Sequence, residues 1–120
     1  MFEKLDYVMV IVSDMNRSVE FYRDKLGIPL KFQSPDWTEF QMEGTTLALH
    51  AGGTGEPTTK AASCSFRFNV ANLDQTFAEL TAKGVRFAVP PKVRDGEGIK
   101  LAVCVDPDGL PISFAESLRK

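Results

Sequence analysis

The chain has 120 residues, 43% of them hydrophobic and 25% charged, the proportions of an ordinary globular protein rather than a disordered, collagenous or membrane chain. Fourteen basic against sixteen acidic residues leave a net charge of −2 with no basic block, which argues against nucleic-acid binding by phosphate neutralisation. One histidine and two cysteines without a CxxC spacing exclude a structural zinc site and any site needing two imidazoles from one subunit.

Met1-Phe2-Glu3-Lys4 is not a signal-peptide start, and the longest mainly apolar run, Tyr7 to Val12, is too short to span a bilayer. The expectation is a cytoplasmic protein with no membrane partner. Tyr7–Val12 alternates as a strand should, with Tyr7, Met9 and Ile11 on one face and Val8, Val10 and Val12 on the other, the latter suited to packing against a helix. Ser13 to Gly27 then reads as a helix, with Asp14 as N-cap, Met15, Val19 and Tyr22 as its buried stripe, and Gly27 at the left-handed C′ position. Three strand-like segments follow, Pro29 to Ser34, Trp37 to Met42 and Thr45 to His50, separated by Ser34-Pro35-Asp36 and Glu43-Gly44. In the second of these, Trp37, Glu39 and Gln41 alternate with Thr38, Phe40 and Met42, and the pattern does not say which set points inward.

After a Gly-rich linker at residues 52–61 the same order recurs. Cys64 to Val70 is strand-like, with Ser65, Arg67 and Asn69 opposite Phe66 and Phe68. Ala71 to Gly84 is helical, with Asn72 as N-cap, Gln75 at a capping-box spacing, and Leu73, Phe77 and Leu80 as the stripe. Val85 to Pro90, Ile99 to Val105 and Leu110 to Phe114 complete the copy, broken by Asp95-Gly96-Glu97-Gly98 and Asp106-Pro107-Asp108-Gly109. Cys64 and Cys104 sit in apolar strand-like runs and read as buried reduced thiols. The fold class is α+β: two tandem βαβββ modules, about 5–51 and 62–117, in a single domain with open, curled mixed sheets. A repeat of that length implies duplication rather than a solenoid.

Val12-Ser-Asp-Met-Asn-Arg-Ser-Val-Glu-Phe-Tyr22 with Leu26-Gly27, Val70-Ala-Asn-Leu-Asp74 and Asp106-Pro-Asp-Gly109, in this order and spacing, resemble the vicinal oxygen chelate superfamily. That superfamily includes glyoxalase I, extradiol dioxygenases, fosfomycin-resistance enzymes and bleomycin-binding proteins. The resemblance implies an open, incomplete barrel around a ligand cavity, and a homodimer. It also implies four metal-ligand positions, which fall on Tyr7, Ala48, Ser65 and Ser113. Phenol, methyl and two alcohols are poor ligands for a divalent ion at neutral pH. The expectation is therefore no metal and no cofactor.

His50 follows Ala48 by two and shares its strand face. It reads either as a strand-end histidine bonded to its neighbours or as a ligand contact, and with Glu39 it is a weak candidate for acid–base work. Arg67, if it faces a cavity, needs a carboxylate from the protein or from a ligand; otherwise it reads as an ion-paired or exposed strand-edge arginine. Tyr7, Met9, Trp37, His50, Arg67 and Ser113 are the candidate ligand-binding residues, a mixture of apolar surface and few polar handles suited to a small-molecule pocket. The expected function is metal-independent small-molecule binding of the bleomycin-resistance type, sequestering an antibiotic or metabolite. The alternative is a lyase or isomerase resembling lactoylglutathione lyase, or a dioxygenase-like enzyme, working through His50, Tyr7 or Glu39.

Overall fold

A strand that alternates needs cover on one face only, and each half of this chain supplies a single helical segment to provide it. The computed structural model describes residues 1, 5–52 and 66–119. The chain divides into two units, Met1–Thr58 and Thr59–Lys120. Residues 53–61 of the expected linker, together with Cys64 and Ser65, lie outside the described residues.

In the first unit, β1 (Tyr7–Val12), β2 (Leu30–Gln33), β3 (Trp37–Phe40) and β4 (Thr46–Ala51) form a four-stranded sheet in the order β1-β4-β3-β2. The β1–β4 pair is parallel and the others are antiparallel. Asp14 caps α1 (Met15–Val19) by accepting from the Arg17 amide at 3.1 Å. The helix then widens into a π-helical turn, Glu20–Lys25, instead of running on as regular α-helix. The amide of Leu26 donates to the Phe21 carbonyl, five residues back, at 2.9 Å. Within that turn two consecutive aromatics, Phe21 and Tyr22, are buried. Their rings meet edge to face at 5.1 Å, and Tyr22 reaches Phe40 at 5.8 Å. Val10, Val12, Val19, Phe40, Leu47 and Leu49 complete this core.

In the second unit, β5 (Phe66–Asn69), β6 (Arg86–Arg94), β7 (Ile99–Val105) and β8 (Pro111–Ser117) pair in the order β5-β8-β7-β6, again with a parallel first pair. Here α2 (Leu73–Ala82) covers the sheet. Its N-terminus is held twice: Asn72 accepts from the Gln75 amide at 3.0 Å, and Glu116 of β8 accepts from the Leu73 amide at 2.7 Å. The Gln75 side chain does not close the expected capping box; it donates to Glu79 one turn on, at 3.1 Å. Glu116 supplies a carboxylate at the helix start instead, which also suits the helix dipole. Phe77, Phe87, Phe114 and Phe68 touch in series beneath the helix. The Asp106-Pro-Asp-Gly109 turn closes on itself, the Asp106 carboxylate accepting from the amides of Asp108 and Leu110 at 2.8 Å each. That is the local work Asp106 does. No described helix is long and apolar enough to cross a membrane.

Two buried groups yield predictions. Ser18 is fully buried in α1, and its hydroxyl has no hydrogen-bond partner among the described residues. Ser18→Ala removes that orphan and should raise stability by about 1 kcal/mol in urea unfolding; a loss of similar size would show that the hydroxyl is satisfied. Cys104 is buried on β7, and burial, then the charge of Asp106, pushes its thiol up to about 12. The folded thiol therefore stays protonated where an unfolded one ionises, so Cys104 should lower stability progressively as pH rises from about 9 towards about 12. Peptide mapping after alkylation at pH 8 should find Cys104 unmodified in the native protein and modified in urea.

Candidate functional site

With one face of the first sheet under its helix, the other face stays open, and the register fixes what it carries. Tyr7, Met9 and Ile11 of β1 stand beside Thr46, Ala48 and His50 of β4. On the far side of β4, Trp37 pairs with His50 and Glu39 with Ala48. Glu39 in turn pairs with Phe32 of β2. This settles the face of β3: Trp37 and Glu39 lie on the open side, half-buried, while Thr38 and Phe40 are buried toward the helix. Thr38 donates its hydroxyl to the Met15 sulfur at 3.2 Å, which ties that buried side down.

Position by position, the turn before β3 is the first support. Ser34 accepts from the Trp37 amide at 3.0 Å and donates to the Trp37 carbonyl at 2.9 Å, fixing the backbone from which the indole projects. The indole Nε1–H donates to Glu39 Oε2 at 2.8 Å. Its ring meets His50 at 5.9 Å and Tyr7 at 5.7 Å, both nearly perpendicular. Tyr7 and Trp37 belong to strands on opposite sides of β4, so their contact passes over the residue between them. That residue is Ala48, with 0% exposure. A methyl group is small enough to floor the contact.

Around this cluster the face is apolar and open to solvent. Tyr7 is 47% exposed, Met9 45%, Ile11 48% and Phe32 52%. Of the sequence candidates, Tyr7, Met9, Trp37, Glu39 and His50 thus share one face. His50 and Glu39 share no hydrogen bond or ion pair among the described residues; Trp37 contacts each of them. Arg67 and Ser113 belong to the second unit, where they are register partners on β5 and β8, Arg67 exposed and Ser113 half-buried.

Phe32 and Ile11 escaped the candidate set for different reasons. Ile11 was assigned its face by alternation but offers no polar chemistry to single it out. Phe32 was hidden by a bulge: Leu30 pairs with Phe40 and Phe32 with Glu39, so one extra residue sends the two to opposite faces. Strict alternation would have placed them together.

The donor set can be weighed against a divalent ion. Tyr7, Ala48 and Ser113, three of the four positions implied by the resemblance, carry a phenol, a methyl and an alcohol, and Ser65 lies outside the described residues. Among the described residues no group of three or more His, Cys, Asp or Glu is placed to hold a metal. These residues do not fit the ion.

Comparison with known proteins gives concordant results. The family model described as Glyoxalase/Bleomycin resistance protein/Dioxygenase superfamily matches residues 4–114. Uncharacterized protein YraH of Bacillus subtilis (strain 168) is 30% identical over 122 residues, covering 88% of this chain and 91% of that protein. A glyoxalase family protein from Enterococcus faecalis superposes with a TM-score of 0.80 at 23% identity, covering 96% of this chain and 98% of that one. A glyoxalase/bleomycin resistance protein/dioxygenase from Nocardioides gives 0.79 at 21% identity, covering 99% and 86%. At these identities the two structures share the fold.

Ala48→Leu tests the ring contact. The larger side chain would push Tyr7 and Trp37 apart, shifting the emission of Trp37, the single tryptophan, to longer wavelength and costing about 1–3 kcal/mol in denaturant unfolding. Unchanged emission and stability would place the rings elsewhere.

Proposed function

We propose that this chain, which belongs to the Glyoxalase/Bleomycin resistance protein/Dioxygenase superfamily, binds a small organic molecule on the open face of its first sheet without a divalent metal. The observation that carries the reading is the Tyr7–Trp37 contact over Ala48. Two positions where metal-dependent relatives would carry ligands are here a phenol packed against an indole and the methyl beneath them. The space a coordinating side chain would need is used for ring packing. What remains is an amphipathic surface: Met9, Ile11 and Phe32 offer apolar area, and Tyr7, Trp37, Glu39 and His50 offer a few directed polar groups. Such a surface holds a ligand by shape and hydrogen bonding. An antibiotic or a metabolite, sequestered rather than converted, is the class of ligand this reading takes. The protein works as a homodimer, which covers sheet edges that an open fold leaves unpaired.

A reading as lyase, isomerase or dioxygenase would need more from these residues. Among the described residues His50 and Glu39 share no hydrogen bond, and Trp37 stands in contact with each of them, so neither is held as the other's acid–base partner.

Because Trp37 is the single tryptophan, its fluorescence reports directly on this face. A panel of small amphipathic molecules should include members that quench it saturably, with Kd the same within about twofold in EDTA and in added zinc, nickel, manganese or iron. A ligand at one hundred times its Kd should add about 2.7 kcal/mol of stability. Elemental analysis should find less than one equivalent of retained metal. Stoichiometric metal uptake lost in His50→Ala would overturn metal independence, and consumption of a bound ligand, followed by mass spectrometry, would establish the enzyme.

A further inference from the structure

The chemistry of the open face selects among small molecules. Three rings, Tyr7, Trp37 and His50, stand nearly at right angles to their neighbours, at 5.7 and 5.9 Å, and so form a corner rather than a stack. Aromatic faces carry negative potential. Beside them sits Glu39, half-buried, with Oε2 fixed by the Trp37 Nε1–H at 2.8 Å. Its other carboxylate oxygen has no hydrogen-bond partner among the described residues. Of the described residues that the register pairs on this face, Glu39 is the one carboxylate; Lys31, the extra residue of the bulge opposite it, is exposed and forms no ion pair with it among the described residues.

A carboxylate set beside aromatic faces, with one oxygen not used by the protein, offers a cation both a charge partner and π surfaces. We propose that the ligand of this face is a small organic cation, an ammonium group carried on an apolar or aromatic body. The ammonium would sit in the ring corner, donating to the free oxygen of Glu39 and drawing cation–π attraction from Tyr7 and Trp37. Its body would lie over the exposed side chains of Met9 and Ile11, or over Phe32 next to Glu39. The indole hydrogen bond contributes twice: it aims the carboxylate, and it leaves one oxygen open for the cation. The proposal rests on the small-molecule reading above, and its test separates the two.

Three probes share one body and differ in charge: 4-tert-butylbenzylammonium, 4-tert-butylbenzyl alcohol and 4-tert-butylbenzoate. Each is titrated into the intact protein with Trp37 emission excited at about 295 nm. The ammonium should bind about tenfold more tightly than the alcohol, the sum of a partly desolvated cation–π contact and a charge-assisted hydrogen bond, and the benzoate should bind weakest. In Glu39→Gln, whose amide oxygen can still accept from the indole, the ammonium's Kd should move to within about twofold of the alcohol's. Equal affinity for ammonium and alcohol in the unaltered protein, or a preference for benzoate, would overturn the cation while leaving a binding face. A tenfold gap that persists in Glu39→Gln would overturn the contact with Glu39 and place the ammonium elsewhere. If none of the three quenches Trp37 at millimolar concentration, both the cation and the binding role of this face fail together.

Discussion

Each four-stranded sheet has one helical segment, and one segment covers one face. The pleat sends successive side chains to opposite faces, so every strand is divided between a set that must be apolar and packed and a set free to differ. In the first unit the packed set includes Val10, Val12, Thr38, Phe40, Leu47 and Leu49, all buried. The free set is Tyr7, Met9, Ile11, Trp37, Glu39 and His50. Stability and recognition are thereby assigned to different residues of the same strands. Substitutions on the open face can change what is bound without emptying the core.

That division explains how side chains that do not suit a metal can stand on this scaffold. The scaffold depends on the helix-facing residues, whereas Tyr7 and Ala48, two of the ligand positions implied by the resemblance, lie on the other side. In this chain Tyr7 and Ala48 have a structural use, since Ala48 lets two rings from flanking strands meet above it. The contact covers Ala48 between them, and it holds the indole where its N–H reaches Glu39. Ring, floor and carboxylate form one unit, and altering any member disturbs the others.

The second unit shows how a similar plan is secured with different parts. Its helix is regular, and its start is tied to the sheet by Glu116 and by the ion pair of Lys100 with Asp74 at 2.6 Å. That exposed pair adds little by itself, whereas the Glu116 bond satisfies a helix-end amide that would otherwise need water. In the first unit the widened turn at Glu20–Lys25 takes the corresponding burden by burying Phe21 as well as Tyr22. Hydrogen bonding secures one helix and aromatic burial the other.

The order of elements, both N-caps, the glycine stops and the twofold βαβββ plan were all legible in the residues, because each rests on local chemistry: alternation, a side-chain oxygen at a helix start, a positive φ at Gly27 and Gly84. So was the lack of good metal donors at Tyr7, Ala48 and Ser113, since donor chemistry belongs to a residue type. Tertiary structure alone decided which face of β3 is open, that a bulge turns Phe32 toward that face, that a π-helical turn carries the buried Phe21 and Tyr22, and that Ala48 is roofed by two rings. Alternation along one strand gives the relative phase of its residues but not the register against a neighbour. That register comes from partners distant in the chain, and Tyr7, Trp37 and Glu39 become a site only once β4 lies between β1 and β3.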